Sequence, residues 1–213
     1  MNVKITVPTS LSDIKLSQYQ KFQRTTEGSE DDNFITRQMV GIFCNIPDSV
    51  VDKIKAKDYN EIVSDITKVL QEEPKFKPII KHEGKEYAFI PKLDDITVGE
   101  KADIDSNFND VQKMHIAMSV MYRPIKFKKG DTYLIEDYEP NAKGLDLSLD
   151  VVFGANVFFS NLTNDLLNYI QNCIEAEVLK PKALQTLVKN GAGITAFTNS
   201  LEAIFSDLRK LAS

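Results

Sequence analysis

The sequence predicts an α+β protein that is predominantly α-helical, with a helical core, one or two β-hairpins and a C-terminal amphipathic helix. Over several long segments, apolar residues recur three and four positions apart, which is the period of an amphipathic helix. Around Glu83-Gly84, and again around Gly130, apolar residues alternate on both sides of a turn. The chain has 213 residues, of which 42% are hydrophobic. That content is enough for one sizeable core.

The N-terminal part is predicted to start as a short strand and to continue as helices. Val3, Ile5 and Val7 alternate with polar residues until Pro8, a pattern typical of a strand. A first helix is expected near Ser17, with Gln20 as the second member of its capping box. After an acidic loop over residues 27–33, residues 34–43 and 58–70 carry the apolar stripes of two further helices.

The middle of the chain changes from helix to hairpin and back. Residues 76–91 alternate around Glu83-Gly84, which predicts a first hairpin. Thr97 and Glu100 have the spacing of a capping box, so a helix is expected from there to about residue 108. A Met-rich helix follows and ends before Pro124.

A second hairpin is predicted around Lys129-Gly130-Asp131. In it Ile125 and Phe127 are expected to face Tyr133 and Ile135. Residues 136–145 are rich in Asp, Pro, Asn and Gly, which indicates a loop.

The C-terminal third predicts a long helix followed by a tethered one. Residues 148–179 form the longest helix-compatible segment and close a body over residues 1–179. Residues 180–197, with Gly191-Ala192-Gly193, are interpreted as a linker. Residues 198–213 are interpreted as a docking helix, whose apolar stripe is Leu201, Ile204, Phe205, Leu208 and Leu211.

One stretch of sequence occurs in two similar versions. Residues 11–16, Leu-Ser-Asp-Ile-Lys-Leu, resemble residues 93–98, Leu-Asp-Asp-Ile-Thr-Val, and both lead into a predicted helix. An internal duplication would produce this similarity, and so would two independent helix starts that obey the same capping rules.

Composition excludes several classes of function. The net charge is −5 and no block of basic residues is present, which argues against a protein that mainly grips nucleic-acid phosphates. Two His and two Cys leave little for a zinc site built from protein ligands. The apolar run over residues 151–159 is too short to cross a bilayer. We therefore expect no cofactor, no bound metal and no membrane span.

No catalytic residue can be named from the sequence. His115 lies on the Met-rich helix, where packing competes with a role as general base, and His82 is expected at the surface. The acidic pairs are Asp94-Asp95, Asp103 with Asp105, and Glu136-Asp137. They fit a metal site or, more simply, solvated positions such as helix N-termini. The chain is therefore predicted not to be an enzyme, with a small nucleotide- or metal-binding accessory enzyme, such as a hydrolase, as the competing hypothesis.

Other residues are interpreted through contacts. Cys44 and Cys173 are expected to be buried free thiols. Arg123 can anchor a helix end, against an aromatic ring or the terminal carbonyls, or form a salt bridge to a neighbouring subunit. Phe153, Phe158 and Phe159 cannot share one narrow helix stripe, so Phe158 is a candidate for a partner contact, with core filling as the alternative.

Several segments, taken together and in order, resemble a known group of proteins. They are Val7-Pro8, residues 11–22, residues 89–100 and residues 114–124, with the Gly-rich linker and Ser200-Leu201 near the C-terminus. In this combination the chain is similar to a group of tailed-bacteriophage proteins common in crAss-like phages of gut bacteria. The shared motifs are packing and capping signatures and carry no chemistry of their own.

The resemblance implies a virion or morphogenesis protein without enzyme activity, made in the bacterial host cytoplasm and present in multiple copies. Its implied partners are other phage structural proteins and copies of itself. Some members of the group look like tail assembly chaperones, which shield tail components and leave before the particle is complete. Both roles are kept as expectations.

Removal of residues 198–213 is predicted to weaken partner binding while the body stays folded, because the docking helix is expected to be tethered through the linker. Circular dichroism and a partner pull-down on the shortened chain measure the two effects. Loss of folding in the shortened chain would show that this segment belongs to the intramolecular core.

Overall fold

The computed structural model describes residues 4–130, 132–140 and 142–175. The described residues are 51% helical and carry a four-stranded antiparallel sheet, which confirms the predicted α+β, mainly helical class. No helix in the described residues combines the length and the apolar character needed to cross a membrane.

Seven α-helices and four strands make up the described residues. The helices are α1 Leu16–Thr26, α2 Asp32–Phe43, α3 Asp48–Val51, α4 Ala56–Leu70, α5 Val98–Asn107, α6 Met114–Met121 and α7 Leu149–Glu175. Short 3-10 helices at Leu11–Asp13 and Leu93–Asp95 precede α1 and α5. The strands are β1 Ile79–His82, β2 Lys85–Phe89, β3 Tyr122–Lys129 and β4 Thr132–Ile135, in the spatial order β1-β2-β3-β4.

Backbone contacts divide the chain into two compact units. The first contains Met1–Lys77 and Asp146–Val157, and the second contains Pro78–Leu145 and continues from Phe158. The first unit is therefore built from two pieces of sequence, with most of the second unit inserted between them.

The first unit is closed by the chain segment that returns to it. Leu16 N–H donates to Leu147 O at 2.8 Å, and Leu149 N–H donates to Ile14 O at 2.9 Å. Asp146 accepts from the backbone N–H and from the hydroxyl of Ser17, both at 2.8 Å. These bonds supply the first turn of α1 with partners that lie far along the chain.

Two predictions for the N-terminus are wrong in the described residues. Residues 4–9 form no strand. Helix α1 starts at Leu16, with Lys15 rather than Ser17 as its N-cap, and the Gln18 side chain accepts from Lys15 N–H at 2.9 Å. Ser17 lies inside the helix because Asp146, rather than Gln20, supplies the acceptors.

The start of α7 packs closely on another segment of the first unit. A side chain at Gly154 would place its Cβ 2.5 Å from the backbone oxygen of Lys75. Tyr19 and Phe153 meet edge to face at 5.4 Å between ring centroids. A glycine is therefore required at 154 for steric reasons, although glycine lowers the intrinsic stability of a helix interior.

The second unit is organised around the sheet. Both predicted hairpins are present, β1–β2 and β3–β4. The first turns through Glu83 and Gly84, which have φ of 48° and 78°, as a two-residue hairpin turn of the primed type requires. Helix α6 passes directly into β3 between Met121 and Tyr122, so the helix end fixes where this central strand begins.

Aromatic rings fill the core of the second unit. Phe89 on β2 contacts Tyr122 at 5.3 Å and Phe158 at 5.4 Å between ring centroids. Phe159 contacts Phe108 at 5.1 Å. Edge-to-face pairs of this kind contribute about 0.5–1.5 kcal/mol each beyond the burial of their surface.

The two similar sequence stretches adopt similar local structure. In each, a 3-10 helix is followed two residues later by an α-helix. Their environments differ: Leu16 is buried in the first unit, whereas the equivalent Val98 is 87% exposed. Whether the likeness arose by duplication stays a prediction.

Gly154→Ala is expected to destabilise the protein, because the new methyl group meets a backbone oxygen that cannot move without distorting the chain. In an open helix site the same change stabilises by about 0.5–1 kcal/mol. Thermal or denaturant unfolding measures the difference.

Ser160→Ala, at an exposed position of the same helix, is the matched control and is expected to leave the unfolding free energy nearly unchanged. A Gly154→Ala protein as stable as the wild type would contradict the close contact with Lys75.

Candidate interaction surface

The β3–β4 hairpin exposes two large apolar side chains side by side. Phe127 is 56% exposed and Leu134 is 60% exposed. They are direct cross-strand partners in the register of the two strands. Single exposed apolar residues are common, but a facing pair on a sheet forms a patch that a partner can cover.

A β-bulge explains why this pair is exposed. Ile125 pairs with Ile135, whereas Phe127 pairs with Leu134, so Lys126 is an extra residue in β3. In a regular strand Phe127 would lie on the same face as Ile125. The bulge moves it to the opposite face, where Leu134 also lies, while Ile125 and Ile135 stay half-buried.

This register corrects one prediction. Phe127 was expected to face Tyr133 or Ile135, and it faces Leu134 instead. Regular alternation contains no extra residue, whereas the bulge at Lys126 inserts one and shifts the pairing by one position along β4.

Strand β4 is an edge of the sheet within the described residues, so no described strand pairs with its outer side. Glu136 N–H donates to Pro124 O on β3 at 2.9 Å, which shows that residue 136 directs its backbone toward β3. Because backbone direction alternates in an antiparallel strand, Leu134 also faces β3. The N–H and C=O groups of Tyr133 and Ile135 therefore point away from the sheet.

The face of the hairpin opposite Phe127 and Leu134 is held in place by a hydrogen bond to β2. The hydroxyl of Tyr133 donates to the backbone oxygen of Phe89 at 3.0 Å, which reaches across β3 to β2. Burial raises the pKa of Tyr133, so the phenol keeps its proton and can donate. The patch formed by Phe127 and Leu134 thus rests on a supported strand pair.

Charge is unevenly distributed along the hairpin. Lys128, Lys129 and Asp131 precede β4 in the sequence and are net basic, whereas Glu136, Asp137 and Glu139 follow it. Lys126 donates to Asp137 at 2.6 Å, and this contact lowers the pKa of the Asp137 carboxyl. The edge strand therefore has a basic end and an acidic end.

The start of β3 is anchored by a buried ion pair. Arg123 and Glu100 meet at 2.6 Å, with their side chains 12% and 6% exposed. The second carboxylate oxygen of Glu100 accepts from Thr97 N–H at 2.6 Å, and Thr97 Oγ1 accepts from Glu100 N–H at 3.2 Å. The predicted capping box is confirmed. Local sequence patterns do not reveal Glu100 as the partner of Arg123, because the two residues lie on different elements and far apart along the chain.

A second contact ties the loop after β4 to α5. Tyr138 donates its hydroxyl to Asp103 at 2.5 Å, and its ring leaves no space for a side chain at Gly99. The hydrogen bond to Asp103 raises the pKa of Tyr138 to about 12. Helix α5 is therefore held at two places: Glu100 binds Arg123 at the start of β3, and Asp103 binds Tyr138 in the loop after β4.

A cleft of about 240 Å³ lies beside this anchor in the second unit. Its lining includes Ser119, Arg123, Glu136, Asp137, Glu139 and Lys143. Acidic and basic side chains are mixed along it, and Arg123 is engaged with Glu100. The lining therefore favours neither an anionic nor a cationic ligand.

The other predicted contact residues are placed as follows. Phe158 lies in the aromatic core, against Phe89 and Phe159, so its ring serves the intramolecular packing. The stripe of Leu201, Ile204, Phe205, Leu208 and Leu211 lies outside the described residues, as does the linker over residues 180–197.

The predicted candidates for chemistry are dispersed. His82 is mostly buried against the ring of Tyr87, not at the surface as expected, while His115 packs close to Gly144.

Cys44 is buried as predicted, and this burial raises the pKa of its thiol to about 11. The Cys173 side chain lies outside the described residues. Within the described residues, no group of three or more His, Cys, Asp or Glu side chains could hold a metal ion.

Comparison of the chain with known protein families, with characterised proteins and with solved structures finds no match. The surface is therefore interpreted from its own geometry.

Glu100→Gln or Arg123→Met is expected to destabilise the protein by about 3–5 kcal/mol, because each change leaves the remaining member of a buried ion pair without its partner. The double variant is expected to lose less than the sum of the two, since no unpaired charge remains. Denaturant unfolding of the three variants measures this coupling.

Asp95→Asn is the matched control, because it removes one member of the exposed pair between Lys92 and Asp95 at 3.5 Å. Exposed pairs of this kind contribute about 0–1 kcal/mol. Additive losses in the double variant would show that Glu100 and Arg123 stabilise the fold independently of each other.

Proposed function

We propose that this chain is a non-enzymatic bacteriophage protein of the tail or head–tail region, which acts through protein–protein contacts in multiple copies. It is made in the bacterial host cytoplasm and becomes part of the virion. The alternative within the same class is a tail assembly chaperone that is absent from the mature particle.

The observation that carries a contact function is the exposed pair Phe127 and Leu134 at a sheet edge that no strand of the described residues covers. Natural proteins usually protect such edges with charged or covered positions. Here the bulge exposes the aromatic side chain of Phe127 to water. This exposure lowers the solubility of the protein, and a partner that covers the side chain removes the effect. The phage assignment itself is supported by the resemblance of residues 11–22, 89–100 and 114–124.

The geometry supports recognition by strand addition. A partner strand placed along β4 would bond to the outward backbone groups of Tyr133 and Ile135 and cover Leu134. Main-chain bonds supply much of the affinity in this mode, and the apolar pair and the flanking charges supply selectivity. The proposed partners are other phage structural proteins and copies of this chain, with the stripe over residues 201–211 as a second proposed contact.

The proposal predicts that the chain is found in gradient-purified particles at a fixed copy number, measured by quantitative mass spectrometry. A chaperone would be abundant in infected cells and absent from the particles. Absence from both the particles and the intermediates of tail assembly would overturn the proposal.

A variant pair connects the surface to this role. A phage that encodes Leu134→Lys is expected to incorporate less of the protein and to yield fewer complete particles. Val98→Lys changes an apolar residue outside the hairpin that is more exposed than Leu134, 87% against 60%, and is expected to leave incorporation unchanged.

A further inference from the structure

We infer that the occupant of the β4 edge is a second copy of this chain, paired strand to strand across a twofold axis at Leu134. The inference rests on the proposed contact function and names the partner of the same surface. It follows from backbone direction, from the placement of the apolar pair and from the order of charges along the strand.

Backbone direction limits the possible registers. In a symmetric antiparallel pair, each outward-facing residue must lie opposite another outward-facing residue. On β4 these residues are Tyr133 and Ile135, which are two positions apart. The twofold axis must therefore pass through a residue of the strand, because an axis between two residues would place an outward-facing residue opposite one that faces β3. The strand ends at Thr132 and Ile135.

Only a register centred on Leu134 pairs both outward residues within the strands. In it, Tyr133 of each copy lies opposite Ile135 of the other, and the two pairs exchange four main-chain hydrogen bonds. An axis at Tyr133 would pair Ile135 with residue 131, and an axis at Ile135 would pair Tyr133 with residue 137. Both of these positions lie outside β4.

The same register brings the exposed apolar side chains together. Leu134 of each copy lies on the axis in a pair that shares no hydrogen bonds, where Cα atoms approach to about 4.5 Å. Phe127 neighbours Leu134 on the same face in each copy. Four exposed apolar side chains then form one cluster, and each chain leaves less of this patch in water.

Charge order favours the antiparallel direction. Residues 128–131 before each β4 carry Lys128, Lys129 and Asp131 and are net basic, whereas residues 136–139 after it carry Glu136, Asp137 and Glu139 and are net acidic. Antiparallel pairing sets the basic end of one copy beside the acidic end of the other, twice. Parallel pairing would set like charges side by side, which is unfavourable.

The size of the contact predicts a weak dimer. A strand of four residues and one apolar pair per copy cover much less than the roughly 1,200 Å² that stable interfaces bury. Such a contact is effective where many copies are held close together, because the local concentration replaces intrinsic affinity. This matches a protein that acts in multiple copies.

Leu134→Cys is expected to form a covalent dimer under mild oxidation, because residues on the axis lie within the Cα separation that a disulfide accepts. Thr132→Cys is the matched control on the same exposed face. Its two copies would stand about 13 Å apart, too far for a disulfide. The wild-type chain, with Cys44 and Cys173, gives the background on non-reducing gels.

Leu134→Lys provides a second measurement that needs no cysteine. In sedimentation at high protein concentration, the wild-type chain is expected to show a monomer–dimer equilibrium that weakens with salt, and the variant is expected to be monomeric. Circular dichroism shows that the variant is folded.

Equal crosslinking of Leu134→Cys and Thr132→Cys, or a wild-type chain that stays monomeric, would overturn the inference. These results leave the proposed phage role standing if Leu134→Lys still reduces incorporation into particles. Selective crosslinking with normal incorporation of Leu134→Lys would support the dimer and remove the surface from the phage role.

Discussion

The buried ion pair between Glu100 and Arg123 is the interaction on which the second unit depends. One carboxylate caps the first turn of α5 and also neutralises a guanidinium at the start of β3. Since α6 enters β3 without a loop, the position of Arg123 determines where the strand, its bulge and the hairpin lie. The pair fixes the geometry of this region but contributes little to the net free energy of folding. The desolvation of the two charges offsets most of the free energy gained from their attraction.

The hairpin that this anchor supports combines two opposing demands. An unpaired sheet edge with apolar side chains invites association, and a chain with a net charge of −5 resists indiscriminate association through its overall repulsion. Strand β4 is short and has lysines before it and carboxylates after it, so only a partner with a suitable order of charges can approach it closely. Selectivity therefore comes from the ends of the strand and affinity from its middle.

Local rules predicted much of this fold, and long-range contacts account for what they missed. The capping box at Thr97, the turn at Glu83-Gly84 and the helix stripes depend on residues within four positions of one another, so the sequence contains the whole signal. The capping residues of α1 were assigned wrongly because the Ser17 N–H bonds to Asp146, which is 129 residues away. The exposed patch had a signal that alternation alone does not capture: Tyr133, Leu134 and Ile135 are consecutive apolar residues, so one of them must lie on the outer face.

The two-piece construction of the first unit has a consequence for the order in which the chain folds. Residues 4–77 leave the ribosome first, but the Leu16 and Ser17 N–H groups of helix α1 lack their acceptors, Leu147 O and the Asp146 carboxylate, until residues 146 and 147 have been made. Nearly all of the inserted segment is complete before that point, and its hairpins involve contacts only a few residues apart, which form early. The sheet of the second unit can therefore form while the first unit is still incomplete, whereas the aromatic core of the second unit needs Phe158 and Phe159, which are made after residue 149. Termination of translation before residue 146 would leave the α1 region exposed to chaperones and proteases.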